Sequence, residues 1–282
     1  MMIRTILVIF SIAFALDANS LPLPKGARLM TQIPSTFTVD YNFEGIVALD
    51  DCSGSLVRLE NSRDTDMALV LTNGHCVETG FPAPGTFISH RSSRRSLGLM
   101  NAQGKTMVRL RATEIVYATM TTTDLTIYKT SMTYGQIMSQ YNIQALTLSS
   151  AHPRMGQALE VVSGYWSRGY RCTIDAFIPH LQEGGYTWDD SIRYSEPGCD
   201  VIGGTSGSPI IASGTRTMIG INNTGNEDGE RCTMNNPCEV DSNGNISFRK
   251  GLNYGEQTHI IYTCLNASGE IDIRVPGCML PH

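Results

Sequence analysis

The chain has 282 residues, of which 41% are hydrophobic and 17% charged, and its formal net charge is −5. This length allows one large domain or two halves that share a core, and the hydrophobic content excludes intrinsic disorder. The mild negative charge argues against a polyanionic partner such as nucleic acid.

The N-terminus has the pattern of a signal peptide. A basic residue precedes an apolar run from Ile6 to Leu16, which is shorter than the about 20 residues that a membrane span needs. We assign residues 1–20 to the signal, with cleavage after Ala15 or after Ser20. Residues 21–40 are then a leader, a propeptide or an arm that wraps the domain. The mature protein is expected to be secreted or periplasmic, with no membrane contact.

Residues 41–282 are predicted to form the folded domain, and most of it consists of short β-like runs separated by Gly, Asn, Asp and Pro. A polar break near 136–153 divides the runs into two groups, predicted as β subdomains at about 41–140 and 150–250. Helical spacing over 254–265 predicts a short C-terminal helix. The predicted strands cover residues 45–49, 55–59, 68–72, 106–111, 114–120, 125–129, 158–163, 170–178, 209–212 and 217–222.

Eight cysteines follow the signal, and an even number in an exported chain predicts up to four disulfides. Neither Cys-x-x-Cys nor His-Glu-x-x-His occurs in the sequence, which disfavours a zinc site. We therefore predict no metal and no cofactor, and a C-terminal tail pinned by Cys278.

Three segments carry residue types used in nucleophilic catalysis. His75 follows a β run, Asp124 opens another, and Ser206 lies in the Gly-rich segment 203–209. Taken singly, each segment has an ordinary structural interpretation. The histidine could be a surface or core residue, the acid could simply start a strand, and the third segment could be a Gly/Ser loop. Together they fit a reaction in which a serine attacks, a histidine takes its proton and a carboxylate orients the histidine. A tight turn would let the N–H groups of Gly204 and Ser206 converge on an oxyanion.

These segments resemble the chymotrypsin/trypsin-like serine peptidases over about residues 43–227. Residues 52–57 (Cys-Ser-Gly-Ser-Leu-Val) are similar to the family's Cys-Gly-Gly-Ser-Leu-Ile, and 72–76 (Thr-Asn-Gly-His-Cys) to its Thr-Ala-Ala-His-Cys. Residues 123–127 (Thr-Asp-Leu-Thr-Ile) resemble Asn-Asp-Ile-Ala-Leu. Residues 204–209 have the Gly-x-Ser-Gly-Ser-Pro form of bacterial glutamyl-endopeptidase-like members.

The resemblance implies an all-β fold of two six-stranded antiparallel barrels with the active site in the cleft between them. It implies Ser206 as nucleophile, His75 as general acid and base, Asp124 as the orienting carboxylate, and the Gly204 and Ser206 amides as oxyanion hole. Residues 219–225 match the strand that pairs with substrate, which implies substrate contacts by Asn222, Asn223, Thr224 and Gly225.

A Cys52–Cys76 disulfide is also implied by the resemblance. The spacing of the next two cysteines then favours Cys172–Cys199 in the second barrel. Cys232–Cys238 and Cys264–Cys278 remain as the last two pairs.

Two departures from the family pattern bear on activation and specificity. Thr205 stands where the animal enzymes have an Asp that pairs with a new N-terminal amine, so activation of that kind is not expected. Asp200 lies where trypsin-like members hold the acid that binds Lys or Arg, although bacterial members without that specificity carry an Asp there too. Glutamate-specific members have a His at the position of Asn222. We therefore expect cleavage after Lys or Arg.

The sequence thus predicts an exported, monomeric serine endopeptidase that forms an acyl-enzyme on Ser206. Its expected partners are protein or peptide substrates and, in addition, a protein inhibitor. The alternative is a catalytically silent binding module on the same scaffold, since a fold does not determine a function. A disulfide-rich surface protein with a chance match to the triad is the third interpretation.

Overall fold

The computed structural model describes residues 40–282. The predicted signal peptide and all but the last residue of the predicted leader lie outside the described residues. Within residues 40–282, no helix has the length and apolar character needed to span a membrane. The first half contains β1 (Ile46–Ala48), β2 (Ser53–Arg58), β3 (Met67–Thr72), β4 (Phe87–Ser92), β5 (Ser96–Met100), β6 (Thr106–Thr119), β7 (Leu125–Thr133), α1 (Tyr134–Tyr141) and β8 (Leu146–Leu148).

The second half consists almost entirely of strands. It contains β9 (Ala158–Ser163), β10 (Arg168–Glu183), β11 (Tyr186–Tyr194), β12 (Pro209–Ala212), β13 (Thr217–Gly225), β14 (Cys238–Val240), β15 (Ile246–Ser247) and β16 (Asn253–Gln257), followed by a 3₁₀ helix at His259–Cys264.

The first six-stranded antiparallel barrel closes in the order β1-β5-β6-β7-β3-β2, with β2 pairing back onto β1. Closure pairs every strand on both sides and leaves no exposed sheet edge within the barrel. Its interior is filled by apolar side chains that alternate along the strands, among them Leu56, Val70, Leu97, Leu110 and Tyr128. β4 extends the barrel by pairing with the second half of the long strand β6.

The second barrel closes in the order β9-β10-β11-β16-β13-β12 and is also antiparallel throughout. Its core includes Val161, Ile192, Tyr194, Ile210 and Ile219. β8 pairs in parallel with both β2 and β13, so it joins the two barrels side by side. The predicted all-β fold of two six-stranded antiparallel barrels is therefore confirmed.

The link between the barrels is more structured than the polar break at 136–153 suggested. It contains α1, whose capping box forms where Thr133 and Gln136 exchange side-chain and backbone hydrogen bonds. The helix ends at Tyr141 and is capped by Asn142, which adopts a left-handed conformation with φ 53°. A Thr-x-x-Gln box followed by Asn is the sequence signal for this short helix.

The predicted C-terminal helix over 254–265 is wrong in its first part. Residues Asn253–Gln257 form β16, and only His259–Cys264 are helical, as a 3₁₀ turn. Tyr254 is completely buried and pairs with Arg193 of β11, where it helps to close the second barrel. Long-range pairing of the strand thus overrides the helical spacing of its apolar residues.

Two predicted strands, 106–111 and 114–120, are a single strand. β6 runs without interruption from Thr106 to Thr119, with bulges that allow it to pair with β4, β5 and β7. Three strands that were not predicted complete the barrels: β5 in the first, and β11 and β16 in the second. The structure contains four disulfides, and they are the pairs expected from the sequence: Cys52–Cys76, Cys172–Cys199, Cys232–Cys238 and Cys264–Cys278.

Candidate active site

A cleft between the two barrels brings together two of the three predicted catalytic residues at its surface. His75 lines it from the first barrel and Ser206 from the second. Each lies just beyond or before a barrel strand, His75 after β3 and Ser206 before β12. The strand ends that face each other across the cleft therefore determine which side chains meet there.

Asp124 is completely buried beneath His75 and holds it by two hydrogen bonds. The Nδ1–H of His75 donates to Asp124 Oδ2 at 2.7 Å, and the His75 backbone N–H donates to Asp124 Oδ1 at 3.0 Å. Because a carboxylate only accepts, this arrangement places the ring proton on Nδ1 and leaves Nε2 to act as base. Burial is the largest single influence and disfavours a charged imidazole, but the carboxylates around the ring, Asp124 first and then Glu183 and Asp51, together raise the pKa of His75 above its ordinary value.

Ser206 lies on a loop that is hydrogen-bonded to strands of both barrels. The backbone N–H of Ser53 donates to Ser206 O at 2.8 Å, and the N–H of Gly207 donates to Asn222 O at 3.0 Å. The Ser206 hydroxyl donates to Asn223 O at 3.3 Å. The hydroxyl proton is thus directed to Asn223 and not to His75 Nε2; catalytic hydrogen bonds are often long or poorly aligned before substrate binds.

The loop before Ser206, where the oxyanion hole is predicted, forms a tight turn. Thr205 N–H donates to Ile202 O at 3.0 Å, which closes a turn, and Gly204 has φ +87° at its third position, as in a type II turn. Among the described residues, the N–H groups of Gly204 and Ser206 have no hydrogen-bond acceptor. Both are therefore available to a negatively charged oxygen in the cleft.

The predicted substrate residues Asn222, Asn223, Thr224 and Gly225 all line the cleft at the end of β13. The two asparagine side chains point away from solvent. Asn222 Nδ2 donates to Thr205 O at 3.1 Å and its Oδ1 accepts from Tyr194 at 3.0 Å. Asn223 Nδ2 donates to the buried carboxyl of Glu256 at 2.9 Å. These bonds fix the strand from behind and leave its backbone at the cleft.

Asp200 does not lie with the other predicted substrate residues. It is exposed, and the cleft is lined instead by the three residues that follow it, Val201, Ile202 and Gly203. Its position six residues before Ser206 gave the expectation of a pocket acid, but the backbone turns the side chain out to solvent.

Two carboxylates that the sequence analysis did not single out line the cleft, Glu183 and Glu227. Glu183 ends β10 and is only 4% exposed. Its Oε2 accepts from the Thr224 hydroxyl at 2.6 Å and its Oε1 from the Asn235 N–H at 2.9 Å. Burial raises the pKa of Glu183. No local motif marks this residue, because only the β10–β11 hairpin carries it to the cleft.

Comparison with known proteins places this site in a family. The profile of the trypsin-like peptidase domain matches residues 52–221. No curated protein matches the chain.

Among solved structures, the chain is similar to the MamO protease domain from Magnetospirillum magneticum, with a TM-score of 0.47 and 14% identity, covering 80% of this chain and 98% of that one. It is also similar to Nocardiopsis protease, with a TM-score of 0.44 and 14% identity over 77% of this chain and 92% of that one. A third similar structure is a glutamic acid specific serine protease described as using a histidine triad in substrate binding, with a TM-score of 0.40 and 17% identity over 76% and 91% of the two chains.

The expected proximity to glutamyl-endopeptidase-like members is not confirmed by these comparisons. The match to the family profile, in contrast, is sufficient to show the family. It covers more than half of the chain and includes His75, Asp124 and Ser206. The chain therefore belongs to the family of trypsin-like peptidase domains.

Proposed function

We propose that this protein is an exported serine endopeptidase that hydrolyses proteins or peptides through an acyl-enzyme on Ser206. The observation that carries the proposal is the geometry of His75 and Asp124. Both oxygens of a fully buried carboxylate accept hydrogen bonds from one histidine, and that histidine shares a cleft with Ser206. A histidine held in this way is a base with a defined free nitrogen.

The reaction follows from these positions. Ser206 Oγ attacks the peptide carbonyl carbon while His75 Nε2 takes the hydroxyl proton, and the carbonyl oxygen becomes an oxyanion that the Gly204 and Ser206 N–H groups stabilise. The C–N bond then breaks as His75 returns the proton to the leaving amine. Water then attacks the resulting ester, with His75 again as base. The acyl group leaves as a carboxylic acid, and the Ser206 hydroxyl is regenerated.

Two further observations support the finer parts of the proposal. Four disulfides are typical of an oxidising compartment outside the cytosol, which supports export. The cleft is lined by Glu183 and Glu227, and within residues 40–282 no Lys or Arg lines it. This charge supports the predicted preference for Lys or Arg in the substrate, with carboxylates other than Asp200 as its source.

The test is labelling of the mature protein with a fluorophosphonate, read by intact mass. We expect the wild type to gain one probe and Ser206→Ala to gain none. Ser208→Ala is the matched control, because Ser208 is a fully buried serine two residues further along the same loop. It should label like the wild type.

The binding-module alternative predicts a different result. A folded wild-type protein that remains unlabelled after removal of residues 21–40, and that cleaves no peptide, would contradict the endopeptidase proposal. Retained labelling in Ser206→Ala would contradict the assignment of the nucleophile.

A further inference from the structure

The loop that carries the oxyanion hole needs an anchor that differs from the one in animal relatives, because Thr205 has no charge to form an ion pair. Thr205 is held by neutral hydrogen bonds instead: its hydroxyl donates to Ile202 O at 2.5 Å, and Asn222 Nδ2 donates to its backbone oxygen at 3.1 Å. Neither bond involves the peptide between Gly203 and Gly204. That peptide is held from the turn that follows β9, where the Nε1–H of Trp166 donates to Gly203 O at 2.7 Å.

The bond from Trp166 bears directly on the oxyanion hole because of peptide geometry. The carbonyl of Gly203 and the N–H of Gly204 belong to one planar trans peptide and point in opposite directions. When Trp166 binds the carbonyl on the outer side, the N–H of Gly204 must face the cleft. Rotation of this peptide would bring the carbonyl into the cleft and remove one of the two donors.

Nothing in the local sequence opposes that rotation. The peptide lies between two glycines, Gly203 and Gly204, and rotating it changes only ψ of the first and φ of the second. Glycine occupies both signs of φ at similar cost. The observed orientation, with Gly204 at φ +87°, therefore needs contacts from outside the turn to select it.

Trp166 is itself held in place. Its backbone N–H donates to Ser163 Oγ at 3.3 Å, and its ring makes an edge contact with Tyr165, with centroids 4.8 Å apart. Ser163 Oγ lies 2.9 Å from Ser53 Oγ, which donates to Gly204 O at 3.1 Å. Both serines are completely buried. The carbonyls of Gly203 and Gly204 are thus both held by side chains from outside the turn.

We propose that Trp166 is a positioning residue of the proposed peptidase. Its indole N–H holds the Gly203–Gly204 peptide in the orientation that presents Gly204 N–H to the oxyanion, in place of an ion pair at residue 205. The inference rests on the proposed function for its kinetic test, but its structural consequence is independent of activity.

The test is Trp166→Phe, which keeps an aromatic ring and removes the donor. Trp166 is 48% exposed, so the variant should fold with a Tm close to that of the wild type. Removal of one oxyanion donor costs about 10²–10³ in kcat. Because Trp166 only biases the orientation of that donor, we expect a smaller loss in kcat, of about 10- to 100-fold. KM should change little, and a peptide aldehyde that binds as an oxyanion should lose affinity in parallel with kcat.

The matched control is Tyr165→Phe, which removes a hydroxyl from the neighbouring ring and leaves the indole N–H in place. It should retain the kcat of the wild type. Equal losses in the two variants, or a Trp166→Phe variant with wild-type kcat and aldehyde affinity, would overturn the proposal.

A crystal structure of Trp166→Phe provides the readout that does not depend on turnover. We expect the Gly203 carbonyl to turn towards the cleft, with Gly204 leaving positive φ. An unchanged peptide would overturn the inference, whether or not the protein is an active peptidase. A wild type that neither labels nor cleaves would refute the proposed function and leave this structural test in force.

Discussion

His75 Nδ1 lies 2.7 Å from Asp124 Oδ2, and the backbone N–H of the same histidine lies 3.0 Å from Asp124 Oδ1. One carboxylate thus fixes both the position of the turn and the orientation of the ring. Replacement of Asp124 by Asn should leave a folded protein whose amide favours the wrong ring tautomer, with kcat lower by about 10⁴-fold. The measurement is steady-state kinetics on a peptide substrate, and Asp200→Asn, an exposed change, should leave kcat unaltered.

The same pair predicts the pH dependence of the reaction. His75 must be neutral to take a proton from Ser206, and the Asp124 carboxylate raises the pKa of His75 above its ordinary value of 6.5. Activity should therefore rise with pH through a pKa higher than 6.5 and fall as the medium becomes more acidic. A pH profile of kcat/KM measures this. An acid limb at or below pH 6.5 would contradict the assigned ion pair.

The glycine after Ser206 should be essential for the fold of the loop. Gly207 has φ +81°, and a Cβ there would lie 2.2 Å from both Ser53 O and Thr72 Oγ1. Gly207→Ala combines backbone strain with overpacking, so we expect a loss of about 1–3 kcal/mol in stability, seen as a lower Tm. Gly203→Ala is the control, since a Cβ at that position meets nothing within 4 Å. A similar Tm for the two variants would be evidence against this loop geometry.

The charge of the cleft should set the preference for basic substrates. Glu183→Gln removes a buried carboxylate from the cleft wall, so the ratio of kcat/KM for Lys- or Arg-containing peptides to that for neutral peptides should fall by about 10-fold, as for one charge-assisted contact. Asp200→Asn should leave the ratio unchanged, because Asp200 is exposed and outside the lining. The reverse pattern in a substrate profile would restore Asp200 as the specificity residue.

Glu256 should make the stability of the protein depend on pH. It is completely buried behind Asn223, and burial raises its pKa well above the ordinary value of 4.5. The folded state therefore binds this proton more tightly than the unfolded state, and stability falls as pH rises above about 4.5. Glu256→Gln keeps a hydrogen-bonding side chain and removes the titration. The Tm of this variant relative to the wild type should rise as the pH increases above about 4.5, and a difference that does not change with pH would contradict a raised pKa of Glu256.

Much of the site could be predicted because its catalytic residue types lie in short segments that are recognisable in the sequence. His75 follows a β run, whereas Asp124 and Ser206 precede one. All three lie beside turn-forming residues, and a triad needs those three residue types. The repeated short strands predicted a β-rich chain in two groups, and the family resemblance implied the two barrels and the Cys52–Cys76 pair. Spacing favoured Cys172–Cys199, and the last two pairs followed by elimination. Residue types in short segments, and the order of those segments along the chain, are enough for these inferences.

The tertiary structure decided the features that depend on distant parts of the chain. Tyr254 joins a strand because β11 lies beside it, and the Glu183 carboxylate reaches the cleft only through the β10–β11 hairpin. Trp166 meets Gly203 although 37 residues separate them. The sequence by itself determined which residues have the chemistry of catalysis. Which groups support and surround them depends on how two closed barrels pack, because side-chain contacts across a cleft follow from strand register and turn geometry and not from local spacing.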